Sequence, residues 1–279
     1  MEVVHGLWVK GQLSALELLT IKSFMHHGFH FVLWSYEKER LQIPENCEQR
    51  IASEIIAEEQ VFYYTNQNKF GHGKGSYAGF SDVFRYKLLY EYGGIWTDMD
   101  MTCLQKFSIK SDYYFRFHAT VGAVGNLMKC PKHAPIMQWC YEQSIQEVQA
   151  DNTDWMLPIK ILNKGIKQFG LKQYIFKQSN DDSFPLILKY LTSNKKIDTN
   201  WIVFHWMNEE WRSNGISKHA MIAGSRIVIL MEQYNIKIQK IVGRDRIKTI
   251  IKFSRMNYVF KQLYARVKWY INKGKNVNL

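Results

Sequence analysis

The chain has only four cysteines and five prolines among 279 residues. Cys47, Cys103, Cys130 and Cys140 are scattered with no CxxC spacing, which excludes a cysteine metal motif and argues against a disulfide framework. No run of about 18 apolar residues occurs, so no membrane-spanning helix is expected. The opening MEVVHGLWVK lacks a basic start and a long apolar core, so no secretory signal is expected there. The expected setting is therefore reducing and cytoplasmic. Acidic residues are scarce at one end of the chain: residues 236–279 hold twelve Lys or Arg against Asp245 alone. Most of the formal charge of +12 sits in that tail, and the preceding residues are close to neutral.

What is abundant is aromatic side chain, at 15%. Tyrosine and tryptophan in such number suit sugar and base stacking, membrane-facing surfaces and cores, with the core as the default. The length suffices for one large α/β domain or a domain with an appendage.

The most informative stretch is FSDVFRYKLLYEYGGIWTDMDMTCL, residues 80–104. Ser81 is a candidate N-cap, with Asp82 in the first turn, where the helix dipole favours a negative charge. Val83, Tyr86, Leu89 and Tyr90 recur at helical spacing. Gly93 and Gly94 suit a helix stop, because glycine accepts a left-handed conformation. Ile95–Thr97 then reads as a short strand that delivers Asp98 and Asp100. Carboxylates two residues apart on a strand share a face and can reach one hard cation, which could neutralise a departing diphosphate. A bare Asp-x-Asp also serves as a simple turn cap.

The string SDVFRYKLLYEYGGIWTDMDM, at residues 81–101, resembles the signature of the DXD sugar-transferase family. That family includes α-1,6-mannosyltransferases, α-1,4-hexosyltransferases, bacterial capsule and lipopolysaccharide glycosyltransferases and, distantly, the glucosylating clostridial toxins. The resemblance implies an α/β fold of GT-A type, a Rossmann-like mixed sheet flanked by helices. It also implies a nucleotide-sugar donor, Mn2+ or Mg2+ at Asp98 and Asp100, and retention of anomeric configuration. By the same resemblance Asp82 and Arg85 contact the donor sugar; a local ion pair on one helical turn is the other reading. Asp98, Met99 and Asp100 lie against the donor.

Upstream, Val3–Trp8 reads as a first strand. SALE at residues 14–17 is a capping box opening a helix that Gly28 closes, and Phe29–Trp34 reads as a second strand. LWVKG stands where relatives carry a base-stacking Trp, so Trp8 and Val9 are candidate donor contacts; packing under the sheet is the alternative for Trp8. His26, His27 and His30 fit contacts at a helix end better than a metal cluster. Residues 44–60 read as a helix charged on one side, and Val61–Tyr63 as a strand. The glycine-rich run GHGKGSYAG at 71–79 lacks the Gly-Lys-Ser/Thr ending of a Walker loop and reads as a mobile loop over the site or a linker.

Downstream, Tyr113–Phe117 reads as a strand, VGAVGN as a small-residue turn, and 133–148 and 154–169 as helices. DWMLP replaces a Gly-Pro pair that family members often carry, which leaves Asp151 and Asp154 as polar candidates only. Asn180–Asp182 reads as a turn. Trp201–Phe204 reads as the last core strand, leading into HWMNEEW, which resembles the family's closing motif. His205 is thereby a candidate third metal ligand, Trp211 and Asn208 candidates to close over the donor, and Glu209 a further contact. Histidine in an ordinary core is the alternative for His205.

In the tail, Phe253, Met256, Phe260, Leu263, Val267 and Tyr270 form one apolar stripe among basic residues. An interfacial helix on an anionic membrane, with Trp269 and Tyr270 as anchors, is the favoured reading. A helix docked on the body and a nucleic-acid face are the others. The expected organisation is a catalytic domain over 1–235 and a basic amphipathic tail over 236–279. The expected function is a metal-dependent retaining glycosyltransferase acting on a glycan or lipid-linked oligosaccharide in bacterial surface polysaccharide synthesis. A UDP-sugar is the favoured donor, and the site is peripheral on the inner membrane face. A toxin-like protein glycosyltransferase and a non-catalytic basic binding module are the alternatives; the module would spread its charge over the body, and nucleic acid is accordingly not the expected partner.

Overall fold

Alternation along the first strands dictates a sheet covered on both faces. In β1 (Val3–Trp8), β2 (His30–Ser35) and β4 (Gly94–Thr97), successive side chains enter opposite cores. Leu7, Val32, Trp34 and Trp96 join one cluster, while Val4, Phe31, Leu33 and Ile95 join the other. The computed structural model describes residues 2–68 and 71–256.

Between these strands lie α1 (Ala15–His26), β3 (Glu48–Ile51) and α2 (Ala78–Tyr92). They are followed by β5 (Met101–Cys103), β6 (Tyr114–His118), β7 (Gly122–Cys130), α3 (Pro135–Glu147), α4 (Leu157–Gln168) and β8 (Ile175–Phe176). A seven-stranded sheet runs β3-β2-β1-β4-β7-β6-β8. The first four strands are parallel, and β7 joins β4 antiparallel. Helices α2, α3 and α4 contribute Phe84, Ile136 and Ile161 to one core, and α1 contributes Ile21 and Phe24 to the other. The result is a mixed sheet flanked by helices, the Rossmann-like α/β architecture expected.

A second, two-stranded pairing joins β5 to β9 (Val203–His205), antiparallel, with Met101 opposite His205. The last strand of this body is thus β9, one residue later than the sequence suggested at its C-terminal end, and outside the main sheet. Helix α6 (Asn208–Ser213) follows at once. By contacts, residues up to Asp181 together with Ile197–Ile216 form one unit. Asp182–Lys196 and the segment beginning at Ser217 form a second, holding α5 (Phe184–Thr192), β10 (Ala220–Ile222), α7 (Arg226–Gln233) and β11 (Gln239–Ile241). The apolar stripe from residue 257 onward, with Trp269 and Tyr270, lies outside the described residues.

Local signals were followed where the backbone could satisfy them locally. The capping box forms: the Leu16 N–H donates to Ser14 Oγ at 3.3 Å, and the Ser14 N–H to Glu17 Oε2 at 2.7 Å. Helix α2 ends at Gly93, at φ +68°, where a side chain would meet the Lys132 main-chain nitrogen at 2.5 Å. Its start differs from expectation. Ser81 lies inside the helix, and Tyr77 occupies the N-cap. Residues 44–60 are not a helix: Glu48–Ile51 pair in parallel with β2, and two short 3-10 turns follow. The Gln49 side chain accepts from the Leu41 N–H and donates to the carbonyls of Glu37 and Glu39, so the polar residues serve the sheet edge. Val61–Tyr63 forms no strand. Within VGAVGN, read as a turn, Gly122–Asn126 form the first half of β7.

Candidate functional site

Strand β4 ends at Thr97, and its continuation is held in place by β7: the Asp98 N–H donates to the Asn126 carbonyl at 2.9 Å. Asp98 and Asp100 therefore straddle a turn rather than share a strand face. The Asp98 Oδ1 accepts from Arg85 Nη2 at 3.0 Å and from Trp96 Nε1 at 2.8 Å. The same Arg85 nitrogen reaches Asp82 Oδ1 at 3.0 Å. Arg85 is 4% exposed and its guanidinium lies 5.2 Å from the centre of the Trp96 ring. Helix α2 and strand β4 thus meet through one buried cation shared by two carboxylates. A surface i,i+3 pair does not describe Asp82 and Arg85.

Room for that cation is made by β7. A side chain on Gly125 would place its Cβ 2.5 Å from Arg85 Nη1. This explains why the strand is built of small residues, which a reading by strand propensity takes for a turn.

Asp100 faces the other way. Its Oδ2 accepts from the Asn208 N–H at 2.7 Å and lies 3.3 Å from His205 Nε2. His205 is seated by side chains that no motif announces. The Asn180 amide binds both the His205 N–H, at 2.7 Å, and its carbonyl, at 3.0 Å, and Asn126 Nδ2 lies 3.3 Å from Nδ1. Asn180 belongs to a segment that looks like a plain turn, and only its contacts reveal the role. Trp211 is fully buried, donating its indole N–H to the Trp206 carbonyl at 2.8 Å, so it supports α6 from inside rather than offering a surface to a donor. Trp8 and Val9, half-buried, lie at and just past the carboxyl end of β1, with Trp8 Nε1 donating to the Gly11 carbonyl at 2.7 Å. Ligands of such sheets bind outside the carboxyl ends of parallel strands. Met99 is buried, its sulfur against Gly6. Asp154 is turned to Lys160, at 2.6 Å, and His30 pairs with Glu48 at 2.7 Å, away from any histidine cluster.

The glycine-rich run is tied to α6. The Gly73 N–H donates to Glu209 Oε1 at 2.8 Å, Arg212 Nη1 donates to the Lys74 carbonyl at 2.7 Å, and His72 lies 3.3 Å from Glu210. Glu209 is thereby engaged with the loop and with Arg212.

Two carboxylates on one arginine, with Asp100 nearby, leave a surplus of negative charge. Burial raises the Asp82 carboxyl to about 6, with Arg85 opposing and Asp98 adding to the rise. Burial also raises Asp98; Arg85 opposes it and Asp100 adds to it. Among the described residues no three His, Cys, Asp or Glu side chains are arranged to hold a metal ion. Asp98, Asp100 and His205 are therefore not a closed three-ligand cage. The chemistry of the donors nonetheless fits a hard divalent cation. Magnesium-type ions are commonly held by one or two carboxylates with the substrate's phosphates completing the shell. In addition, Asn208 Oδ1 is buried and has no hydrogen-bond partner in the structure, next to the aspartate its own N–H binds.

Residues 19–116 match the family model described as the glycosyltransferase sugar-binding region containing DXD motif. The matched region holds both α2 and the Asp98–Asp100 pair, and it spans about a third of the chain. Among curated proteins, inositol phosphoceramide mannosyltransferase 3 of Schizosaccharomyces pombe (strain 972 / ATCC 24843) is 26% identical over 132 residues. The match covers 47% of this chain and 30% of that protein, so under a third of the relative is represented. Among solved structures, PaToxG glycosyltransferase aligns with a TM-score of 0.44 at 10% identity, over 91% of this chain and 84% of the other. The apo form of the glycosyltransferase GlyE of Streptococcus pneumoniae TIGR4 aligns at 0.45 and 13% identity, over 85% and 60%.

Proposed function

We propose that this protein is a metal-dependent, retaining glycosyltransferase that moves a hexose-type sugar from a nucleotide-sugar donor to a glycan acceptor. The observation that carries the reading is Arg85, buried and bridging Asp82 and Asp98 at the carboxyl end of β4, with Asp100 turned toward Asn208. Asp98 and Asp100 would hold Mn2+ or Mg2+, with Asn208 Oδ1 and His205 at hand; the ion would supply charge neutralisation for the departing diphosphate. Asp82 and Arg85 would orient the donor sugar, since a guanidinium fork engages carboxylate and sugar or phosphate oxygens together. Trp8 would stack on the base and Val9 and Met99 would line its bed, while Trp211 stiffens the α6 side.

A UDP-sugar is the favoured donor, and a lipid-linked oligosaccharide of bacterial capsule or lipopolysaccharide the favoured acceptor. GDP-mannose is the second reading, favoured by the mannosyltransferase name of the yeast relative. Attachment to the inner face of the cytoplasmic membrane through 236–279 belongs to the same proposal. No described helix is long and apolar enough to cross a membrane. Val242, Ile247 and Ile251 are exposed beside Arg244, Arg246, Lys248 and Lys252, a composition suited to an anionic lipid surface.

The test is thermal unfolding with manganese against a panel of nucleoside diphosphates. A ligand bound only by the folded state raises the melting temperature by mass action. A manganese-dependent rise with UDP or GDP, absent in Asp100→Ala, is expected and would identify the donor class. No rise with any nucleotide would overturn the reading.

A further inference from the structure

Arg116 is a fully buried arginine on β6, outside every motif read from the sequence. Its Nε donates to Ser179 Oγ at 2.6 Å, its Nη2 to the Asn180 carbonyl at 2.6 Å, and its Nη1 to Asn126 Oδ1 at 3.4 Å. Ser179, Asn180 and Asn126 are themselves buried. A fixed cation with this many directed donors orients the groups around it.

The consequence reaches His205 by a chain of one-way bonds. A guanidinium can only donate, so the Asn126 amide must present its oxygen to Arg116. The amide NH2 is then left facing His205 Nδ1, 3.3 Å away. An amide NH2 also can only donate, so Nδ1 must accept and the ring proton must reside on Nε2. Nε2 lies 3.3 Å from Asp100 Oδ2, which accepts it. Meanwhile the Asn180 amide accepts from the His205 N–H and donates to the His205 carbonyl, and the Asn126 carbonyl holds the Asp98 N–H at 2.9 Å. One asparagine therefore fixes the main chain at the first aspartate and the ring beside the second.

We infer that Arg116 and Asn126 are positioning residues that set the tautomer of His205, with its proton on Nε2 and directed at Asp100. His205 then meets Asp100 as a hydrogen-bond donor in the ligand-free protein. For Nε2 to bind a divalent ion, the proton must leave it for Nδ1 and the Asn126 amide must turn over. This inference rests on reading His205 as part of the donor site. The tautomer is read without any ligand, however, so its failure and a failure of nucleotide binding are separate results.

The experiment is a long-range proton–nitrogen correlation spectrum of the histidine rings in the full chain, at neutral pH and without metal. His205 is assigned by the signal missing in His205→Gln. The wild type is expected to show the proton on Nε2 and a bare Nδ1. In Asn126→Asp, nearly identical in shape, the carboxylate accepts from Arg116 and from the ring together, so a proton is expected on Nδ1. Asn126→Ala is expected to show both tautomers in exchange. A wild-type ring with its proton on Nδ1 would overturn the inference, and so would an Asn126→Asp spectrum unchanged from wild type. Should a variant fail to fold by circular dichroism, the wild-type spectrum alone decides.

Discussion

The main-chain N–H of Asn208 donates to Oδ2 of Asp100 at 2.7 Å, across 108 residues of sequence. The second aspartate of the motif is thus held by the first residue of helix α6. Asp100→Asn can still accept that hydrogen bond but carries no charge. It should leave the melting temperature of the apo protein within about 1 kcal/mol of wild-type stability, the size of a single hydrogen-bond change. Manganese binding, read by titration calorimetry, should be lost. Retained binding would move the ion away from Asp100.

Arg85 is the cation that two carboxylates share, and removing one partner of a buried pair leaves uncompensated charge. Arg85→Ala should lower unfolding free energy by about 3–5 kcal/mol in a denaturant titration. Gly125→Ala attacks the same group from the opposite side, because the added carbon would need the space of Nη1. A cost of about 1–3 kcal/mol is expected, with weakened nucleotide binding. In the double variant the two costs should fail to add, since both act through one guanidinium. Strict additivity would separate Gly125 from the arginine.

Two groups should make stability fall with rising pH, in different windows. Asp82, raised by burial to about 6 from an ordinary 3.8, binds its proton more tightly in the native protein than in the unfolded chain. Its favourable contribution is complete below pH 3.8 and lost as pH rises through 6. His72 is raised above 6.5 by its hydrogen bond to Glu210, so its contribution is complete below 6.5 and lost above. Melting curves should therefore descend in two steps. Asp82→Asn should flatten the lower one and His72→Gln the upper one.

The glycine-rich run at 71–79 contains a trypsin site, the exposed Lys74, and is strapped to α6 through Glu209 and Arg212. Glu209→Ala removes the acceptor for the Gly73 N–H and frees Arg212 from its carboxylate partner. Cleavage after Lys74 under native conditions should become faster, because opening limits proteolysis of folded loops. An unchanged rate would mean the strap does not hold the loop.

These elements also show which parts of the architecture a sequence can announce. The capping box of α1, the Gly93–Gly94 stop and the alternating strands are local chemistry, so their residues declare them in order along the chain. Arg85 and Asp98 were legible because a motif names them together. The edge strand Glu48–Ile51 was not, since its polar residues satisfy partners from elsewhere and imitate a charged helix. Strand β7 was hidden for the opposite reason: its Gly125 makes space for another element's arginine, and Gly122 sits at φ +88° against Asn163. Arg116, Asn126 and Asn180 carry no signature, because their meaning is the convergence of separated segments around one histidine, its ring and its main chain.

The pairing of β5 with β9 carries a consequence for how the molecule comes into being. Met101 lies opposite His205, and Asp100 waits for the amide of Asn208. During synthesis the stretch 19–116 leaves the ribosome with the second aspartate of the motif unheld, long before its partners are made. Fragments ending ahead of residue 203 should therefore have the motif intact and the site open. Completion is a late event, set by the return of a short strand.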